Sequence, residues 1–92
     1  MKKIHRRDKM KIYGDLLKEL CHRSNDEKIV LTQIQHKINV PFDRLKAYIR
    51  ELLNLGLIED DESLILSEKG KQYLREYEQV LDFMNRMGLY YR

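Results

Sequence analysis

The sequence has few of the residues that mark secreted or turn-rich proteins. It contains one cysteine, one proline, four glycines and no tryptophan among its 92 residues. A lone cysteine excludes an internal disulfide and favours a reducing, intracellular setting. The scarcity of proline and glycine argues against a turn-rich β architecture. We therefore expect a mainly α-helical protein.

Long apolar runs are also absent. No stretch approaches the roughly 18 consecutive apolar residues that a membrane-spanning helix needs, so we expect no membrane partner. The basic start MKKIHRRDKMK has no apolar segment or small-residue cleavage site after it, and is not expected to be a signal peptide. The chain is 92 residues long and 42% hydrophobic, which suits one small cytoplasmic domain.

The motifs of catalytic and metal sites are missing as well. Cys21 and His22 are adjacent and thus about 100° apart on a helix, whereas two ligands on one helix face are three or four residues apart. There is no CxxC, HExxH or glycine-rich phosphate loop. The acidic run 59–62 lacks the ligand spacing and the loop glycine of an EF-hand. We expect no enzymatic activity, no metal and no cofactor.

Charge is distributed unevenly along the chain. Residues 1–50 hold thirteen Lys or Arg against six Asp or Glu, and residues 51–92 hold five against nine. The basic half suits a polyanionic partner. Charge alone favours this interpretation no more than an ordinary solvated surface.

Apolar spacing predicts the first two helices. Over residues 7–22 the apolar side chains recur every three or four positions, which indicates one buried stripe. Gly14 interrupts this helix at a cost of roughly 1 kcal/mol, which would be tolerated where another helix approaches closely. Thr32 is the expected N-cap of a second helix in which Ile34 and Ile38 face inward.

The second half of the chain predicts a third helix, a hairpin and a last helix. Pro41 suits the first position of a helix, and Gly56 suits the position just after its end. Residues 57–58 and 64–66 are apolar and flank the acidic sequence EDDES, as expected of two short strands and a tip. Ser67 then begins the last helix.

This order of elements, read with NVPFDRLKAYIRELLNLGLIEDDESLILSEKG, resembles a winged helix-turn-helix. It is most similar to the small archaeal winged-helix family with a C-terminal coiled-coil dimerisation helix, the Sulfolobus ten-a type of DNA-binding proteins. The residues that carry the resemblance are local and ordered along the chain: Asn39-Val40; Phe42, Leu45, Lys46, Tyr48 and Ile49; Leu52-Leu53; Leu55-Gly56-Leu57-Ile58; and Leu66-Ser67-Glu68-Lys69-Gly70.

The resemblance implies a fold, a division of the chain and a function. The fold is mainly α with a small β-hairpin wing and a long C-terminal dimerisation helix. Residues 1–6 form a basic arm, 7–67 the winged helix-turn-helix domain and 68–92 the dimerisation helix. The implied function is that of a homodimer bound to double-stranded DNA, as a transcriptional regulator or a nucleoid-associated architectural protein. Two departures are Pro41, where the family has a small polar N-cap, and the acidic wing tip.

The third helix is the expected reader of the DNA. Its exposed face suits base edges in the major groove, and its flanks suit the phosphates beside the groove. The second helix of the pair is expected to cross the backbone. The basic arm is a further phosphate candidate or, alternatively, a solvated tail. The candidate DNA-binding residues are Asp43, Ala47, Arg50 and Asn54 on the face; Lys46 and Arg44 at its edges; Gln33, Lys37 and Lys28 at the second helix; Lys2, Lys3 and Arg6 in the arm; and Arg7 directly after it.

The last helix carries an apolar seam at coiled-coil spacing. The stripe is wider than one neighbour covers, so we expect one part to pack on the first helix and the other on a second copy of the chain. The alternative is a helix folded entirely onto its own core. An alternative function is a protein-interaction winged helix without DNA binding, which the acidic wing favours. The candidate interface residues are Leu74, Tyr77, Leu81, Met84, Gly88 and Tyr91.

Overall fold

A computed structural model describes residues 9–23, 30–60 and 62–89 of the chain. These residues form four α-helices, α1 (Lys9–His22), α2 (Leu31–Ile38), α3 (Phe42–Asn54) and α4 (Glu68–Arg86). The predicted mainly helical fold and the order of its helices are confirmed. No helix among the described residues is long and apolar enough to cross a membrane.

The core lies between α1 and the helix pair α2–α3. Helix α1 contacts both α2 and α4, and α2 contacts α3. Apolar side chains at helical spacing point into this space, as the periodicity predicts. The largest fully buried side chains are Leu16, Leu17, Leu20, Ile34, Leu45 and Leu52.

The turn between α2 and α3 is fixed by two residues. Asn39 adopts a left-handed conformation with φ of 58°, and its N–H donates to the Gln35 carbonyl at 2.8 Å. Asparagine tolerates this conformation better than most residues. Pro41 follows in an extended conformation and is the N-cap of α3. The chain thereby passes from α2 to α3 within three residues, and the two helices pack against each other.

Helix α2 begins two residues earlier than the sequence suggests. Its N-cap is Val30, which offers no side-chain hydrogen bond, and Thr32 lies inside the first turn. The prediction of Thr32 as the N-cap was therefore wrong. Leu31 is partly buried against the core, and this apolar contact stabilises the earlier start of the helix in the absence of a cap bond.

The wing is smaller than the predicted hairpin. Among the described residues, Ile58 and Leu66 form an isolated antiparallel bridge, and there is no extended strand. Two hydrogen bonds flank the bridge, from the Glu59 N–H to the Ile65 carbonyl at 2.9 Å and from the Ser67 N–H to the Leu57 carbonyl at 3.0 Å. The ladder goes no further because Leu64 has a φ of 57°, which turns the backbone out of the extended conformation.

Helix α4 begins under tight contact with the wing and then crosses α1. The Ser67 hydroxyl accepts a hydrogen bond from the Gly70 N–H at 3.0 Å, which caps the helix. About two turns beyond Gly70, the Tyr77 ring covers Gly14, where a Cβ atom would lie 2.3 Å from a ring carbon. The expectation that Gly14 admits a close helix neighbour is consistent with this packing.

Candidate nucleic-acid interface

The outer face of α3 is polar and open to solvent. Leu45, Tyr48, Ile49 and Leu52 bury the opposite face in the core. Of the six candidate DNA-binding residues on this helix, five are exposed and one is half-buried. The exposed ones are Asp43, Arg44, Lys46, Arg50 and Asn54, and the half-buried one is Ala47.

One flank of α3 faces α2. Lys46 and Arg50 line a shallow cleft there, together with Leu31 of α2 and Ile49 of α3. Two positively charged side chains thus lie beside the apolar side chains of Leu31 and Ile49 where α2 meets α3.

The exposed side of α2 carries two of the candidate residues. Gln33 and Lys37 are both exposed. The Gln33 side-chain oxygen Oε1 accepts a hydrogen bond from Arg23 Nη1 at 3.0 Å. Arg23, which the sequence interpretation did not select, therefore adds a cation beside the start of the helix pair.

The other flank of α3 is tied to α1 through Glu51. The Tyr13 hydroxyl donates a hydrogen bond to the Glu51 carboxylate, and Lys9 Nζ lies 3.2 Å from the same oxygen. The hydrogen bond from Tyr13, followed by the bond and charge of Lys9, lowers the pKa of Glu51. Burial and the Glu51 carboxylate raise the pKa of Tyr13 to about 12. The carboxylate on the candidate recognition helix is thus kept in its charged form, paired with Lys9 and drawn toward α1.

Phe42 is a surface residue that carries part of the resemblance and is not among the candidate DNA-binding residues. Its side chain is 37% exposed at the first position of α3. Lys46 Nζ lies 5.7 Å from the centre of its ring, within the range of a cation–π contact. Its position at the start of the helix was the available signal, because the first turn of a helix lies at the edge of the surface that the helix buries.

One acidic residue of the wing tip, Asp60, has a structural role, because its carboxylate binds backbone N–H groups of the turn. Asp60 accepts hydrogen bonds from the N–H groups of Ser63 at 2.6 Å and Glu62 at 2.8 Å, and also from the Ser63 hydroxyl. These bonds, with the Ser63 N–H contributing most, lower the pKa of Asp60. Asp60 therefore shapes the turn, whereas Glu59 and Glu62 are exposed to solvent.

The candidate interface on α4 divides into buried and open residues. Tyr77 is 3% exposed, and its ring fills the space that Gly14 leaves, so the chain itself already covers this side chain that heptad spacing assigned to a dimer interface. Leu74 packs against the core, and Leu81 and Met84 are half-buried.

The seam on α4 also ends earlier than its spacing suggests. The helix stops at Arg86, and Gly88 has a φ of 77° beyond it. Phe83 and Met87 are 49% and 57% exposed and were not selected, because they lie to one side of the heptad positions.

Some candidates lie outside the described residues. These are Lys2, Lys3, Arg6, Arg7, Lys28 and Tyr91. Within the described part of the chain, no group of three or more His, Cys, Asp or Glu side chains is arranged to hold a metal ion.

Comparison with known proteins agrees with this architecture. Neither curated proteins nor solved structures gave a match. A family profile described as winged helix-turn-helix matches residues 6–85, which include all four helices and the wing. The DNA-binding character of that fold suits the polar face of α3. The chain belongs to the winged helix-turn-helix family.

Proposed function

We propose that this protein is a homodimer that binds double-stranded DNA and reads the major groove with the outer face of α3. The observation that carries the proposal is that face itself. Asp43, Arg50 and Asn54 stand exposed around the small Ala47, while the Glu51 carboxylate is drawn toward α1. A helix of this kind can approach base edges closely without presenting an unpaired carboxylate from its flank.

Each side chain on the face has a partner in the groove. Arg50 suits guanine, Asn54 suits adenine and Asp43 can accept from cytosine. Lys46 and Arg44 at the edges suit the phosphates that hold the helix in register.

Residues outside α3 add contacts to the backbone. In helix-turn-helix docking the first helix of the pair crosses the phosphates, which suits Gln33 and Lys37. We assign the same role to Lys28, to Lys2, Lys3 and Arg6 in the basic arm, and to Arg7 directly after it. Each phosphate that they neutralise would add about −0.9 to the slope of log K against log salt.

Dimerisation through α4 completes the proposal. Phe83 and Met87 are largely exposed, and Leu81 and Met84 are half-exposed beside them. A second copy packed on this end of α4 would bury them and present two recognition helices to successive major grooves, about 34–36 Å apart. The arrangement is that of the archaeal dimeric family that the sequence resembles, acting in the cytoplasm as a regulator or an architectural protein, without catalysis or a cofactor.

Binding of a random-sequence duplex, followed by fluorescence anisotropy at low and moderate salt, tests the proposal. The double variant Lys46→Ala with Arg50→Ala should weaken binding at least tenfold, because each lost hydrogen bond between charged groups is worth about 1.5–3 kcal/mol. The control is Lys71→Ala with Arg75→Ala, which removes the same charge from the exposed side of α4. Undiminished binding by the α3 variant would overturn the assignment of α3 as the reader.

A protein-interaction module without DNA binding is the second candidate. The exposed Glu59 and Glu62 at the wing tip favour it, since carboxylates repel the phosphate backbone. Absence of duplex binding even at low salt, where charge attraction is strongest, would favour this candidate over the first.

A further inference from the structure

We infer that Phe42 is a specificity-determining residue that contacts the 5-methyl group of thymine in the major groove. The inference rests on the proposed function, in which α3 enters that groove. It assigns an apolar readout to a residue outside the polar face described above.

Phe42 lies at the N-terminal end of α3. It is the first residue of α3 and follows Pro41, whose extended backbone leads the chain into the helix. In helix-turn-helix docking, the N-terminal residues of the recognition helix contact base edges. Phe42 therefore lies at the end of α3 that approaches the bases.

The Phe42 ring is open to solvent. Phe42 is 37% exposed, whereas Leu45, less than one turn further on, is 0% exposed. The core thus leaves more than a third of this large apolar side chain in water. Burial of that surface on a ligand is favourable by the hydrophobic effect, and the apolar group that a base edge offers in the major groove is the methyl of thymine.

Lys46 lies beside the Phe42 ring and adds a positive charge next to it. Its Nζ atom stands over the Phe42 ring, 5.7 Å from the centre, and Lys46 is itself exposed. The ring holds the ammonium group by a cation–π contact at the start of the helix. Lys46, which would contact a phosphate, and Phe42, which would contact a methyl group, therefore lie side by side. The Phe42 ring orients the Lys46 ammonium and is itself placed to contact the thymine methyl.

A pair of duplexes that differ only in this methyl group tests the inference. The first is an alternating dA-dT duplex of about 20 base pairs, roughly two helical turns. The second has the same sequence with every thymine replaced by uracil. Wild-type protein should bind the thymine duplex about fourfold more tightly for one methyl group removed from water. The Phe42→Ala variant should bind the two duplexes equally.

The control variant is Leu55→Ala. Leu55 is 45% exposed and follows the other end of α3, so its removal should leave the thymine preference intact. Phe42→Leu keeps an apolar side chain and should retain part of the preference. A dG-dC duplex with and without 5-methylcytosine is a second probe, because its methyl group occupies the same place in the groove.

The outcomes separate this inference from the function on which it rests. Equal wild-type binding to both duplexes overturns the reading of thymine and leaves DNA binding in place. A thymine preference that persists in Phe42→Ala assigns the methyl contact to another residue and also overturns the inference. Failure to bind either duplex at low salt overturns the proposed function as well. The wild-type comparison needs no variant and stays decisive if Phe42→Ala does not fold.

Discussion

Gly70 and Gly14 determine how α4 leaves the wing and crosses α1. A Cβ atom at Gly70 would lie 2.0 Å from the Leu57 carbonyl oxygen, and one at Gly14 would lie 2.3 Å from the Tyr77 ring. The first obstacle is backbone that is held by its own hydrogen bond from Ser67. The second is a side chain, which can move more easily. The two positions are therefore unequal, although both are glycines within helices.

Gly70→Ala should lower the free energy of unfolding by about 3 kcal/mol, the upper part of the range for an overpacked site. Gly14→Ala should cost less, since the Tyr77 ring can shift. The measurement is urea unfolding followed by circular dichroism, with Lys71→Ala at an exposed neighbouring position as the control. A Gly14 variant less stable than the Gly70 variant would contradict the argument.

The contact between Tyr13 and Glu51 predicts a dependence of stability on pH. The folded-state pKa of Glu51 lies below its ordinary value of 4.5, so the contribution is present at neutral pH and is lost as pH falls through the folded-state pKa. The folded-state pKa of Tyr13 is raised from 10.0 to about 12. Its contribution is complete below pH 10 and is lost as pH rises toward 12.

Tyr13→Phe should therefore cost about 1 kcal/mol at pH 7, and the difference from wild type should shrink as the solution is acidified below the ordinary range of glutamate. Unfolding in urea at a series of pH values measures it. The matched control is Tyr73→Phe, because the Tyr73 hydroxyl donates at 2.9 Å to the neutral carbonyl of Met10. A difference for Tyr13→Phe that stays constant into acid would refute the role of Glu51.

At the scale of an element, the wing combines an apolar base with an acidic tip. Leu57, Ile58, Leu64 and Leu66 are buried and close the core. The tip turn depends on Asp60, whose carboxylate holds two backbone N–H groups. Its neighbours Glu59 and Glu62 are free to be replaced without loss of those bonds.

Glu59→Lys with Glu62→Lys should strengthen binding to random duplex several-fold at low salt, because two negative charges that repel the phosphates are replaced by two positive charges that attract them. The gain should fall as salt is raised past about 0.1 M, where the screening length is about 10 Å. Anisotropy titrations at several salt concentrations measure it, with Glu76→Lys and Glu78→Lys on α4 as a control of equal charge. Weaker binding by the wing variant would show that its acidic tip contacts a partner in the complex.

The elements also show where sequence reasoning succeeds. Apolar spacing indicated α1 and α2, and the signals at Pro41, Gly56 and Ser67 bounded α3 and began α4, since these features depend on local spacing and backbone preference. The start of α2 and the length of the wing were misplaced. Leu31 is drawn into the core and Leu64 adopts a positive φ, and both result from tertiary packing that a linear pattern does not contain.

The candidate site shows the same division. The outward residues of α3 follow from the angle between successive residues on a helix, so Asp43, Arg50 and Asn54 were found. Tyr77 was assigned to a partner because heptad spacing does not say which neighbour covers a stripe. The contact between Phe42 and Lys46 was missed, because an aromatic residue on the shoulder of an apolar stripe resembles core.

For the whole molecule, the exposed apolar end of α4 predicts a dimer in solution. Met84→Glu with Met87→Glu should convert it to a monomer, since two buried carboxylates would each lack a partner. Sedimentation equilibrium at tens of micromolar measures the mass. The control is Gln79→Glu with Asn85→Glu at exposed positions on the polar side of the helix. A wild-type protein that sediments as a monomer would refute the dimer and leave a single recognition helix per particle.

The ion pair between Lys9 and Glu51 also joins the first residue of α1 to the flank of α3. The Lys9 ammonium lies 3.2 Å from a Glu51 carboxylate oxygen, and both side chains are open to solvent. A phosphate that approached this flank of α3 would therefore compete with Glu51 for the Lys9 ammonium, and added salt would weaken both contacts.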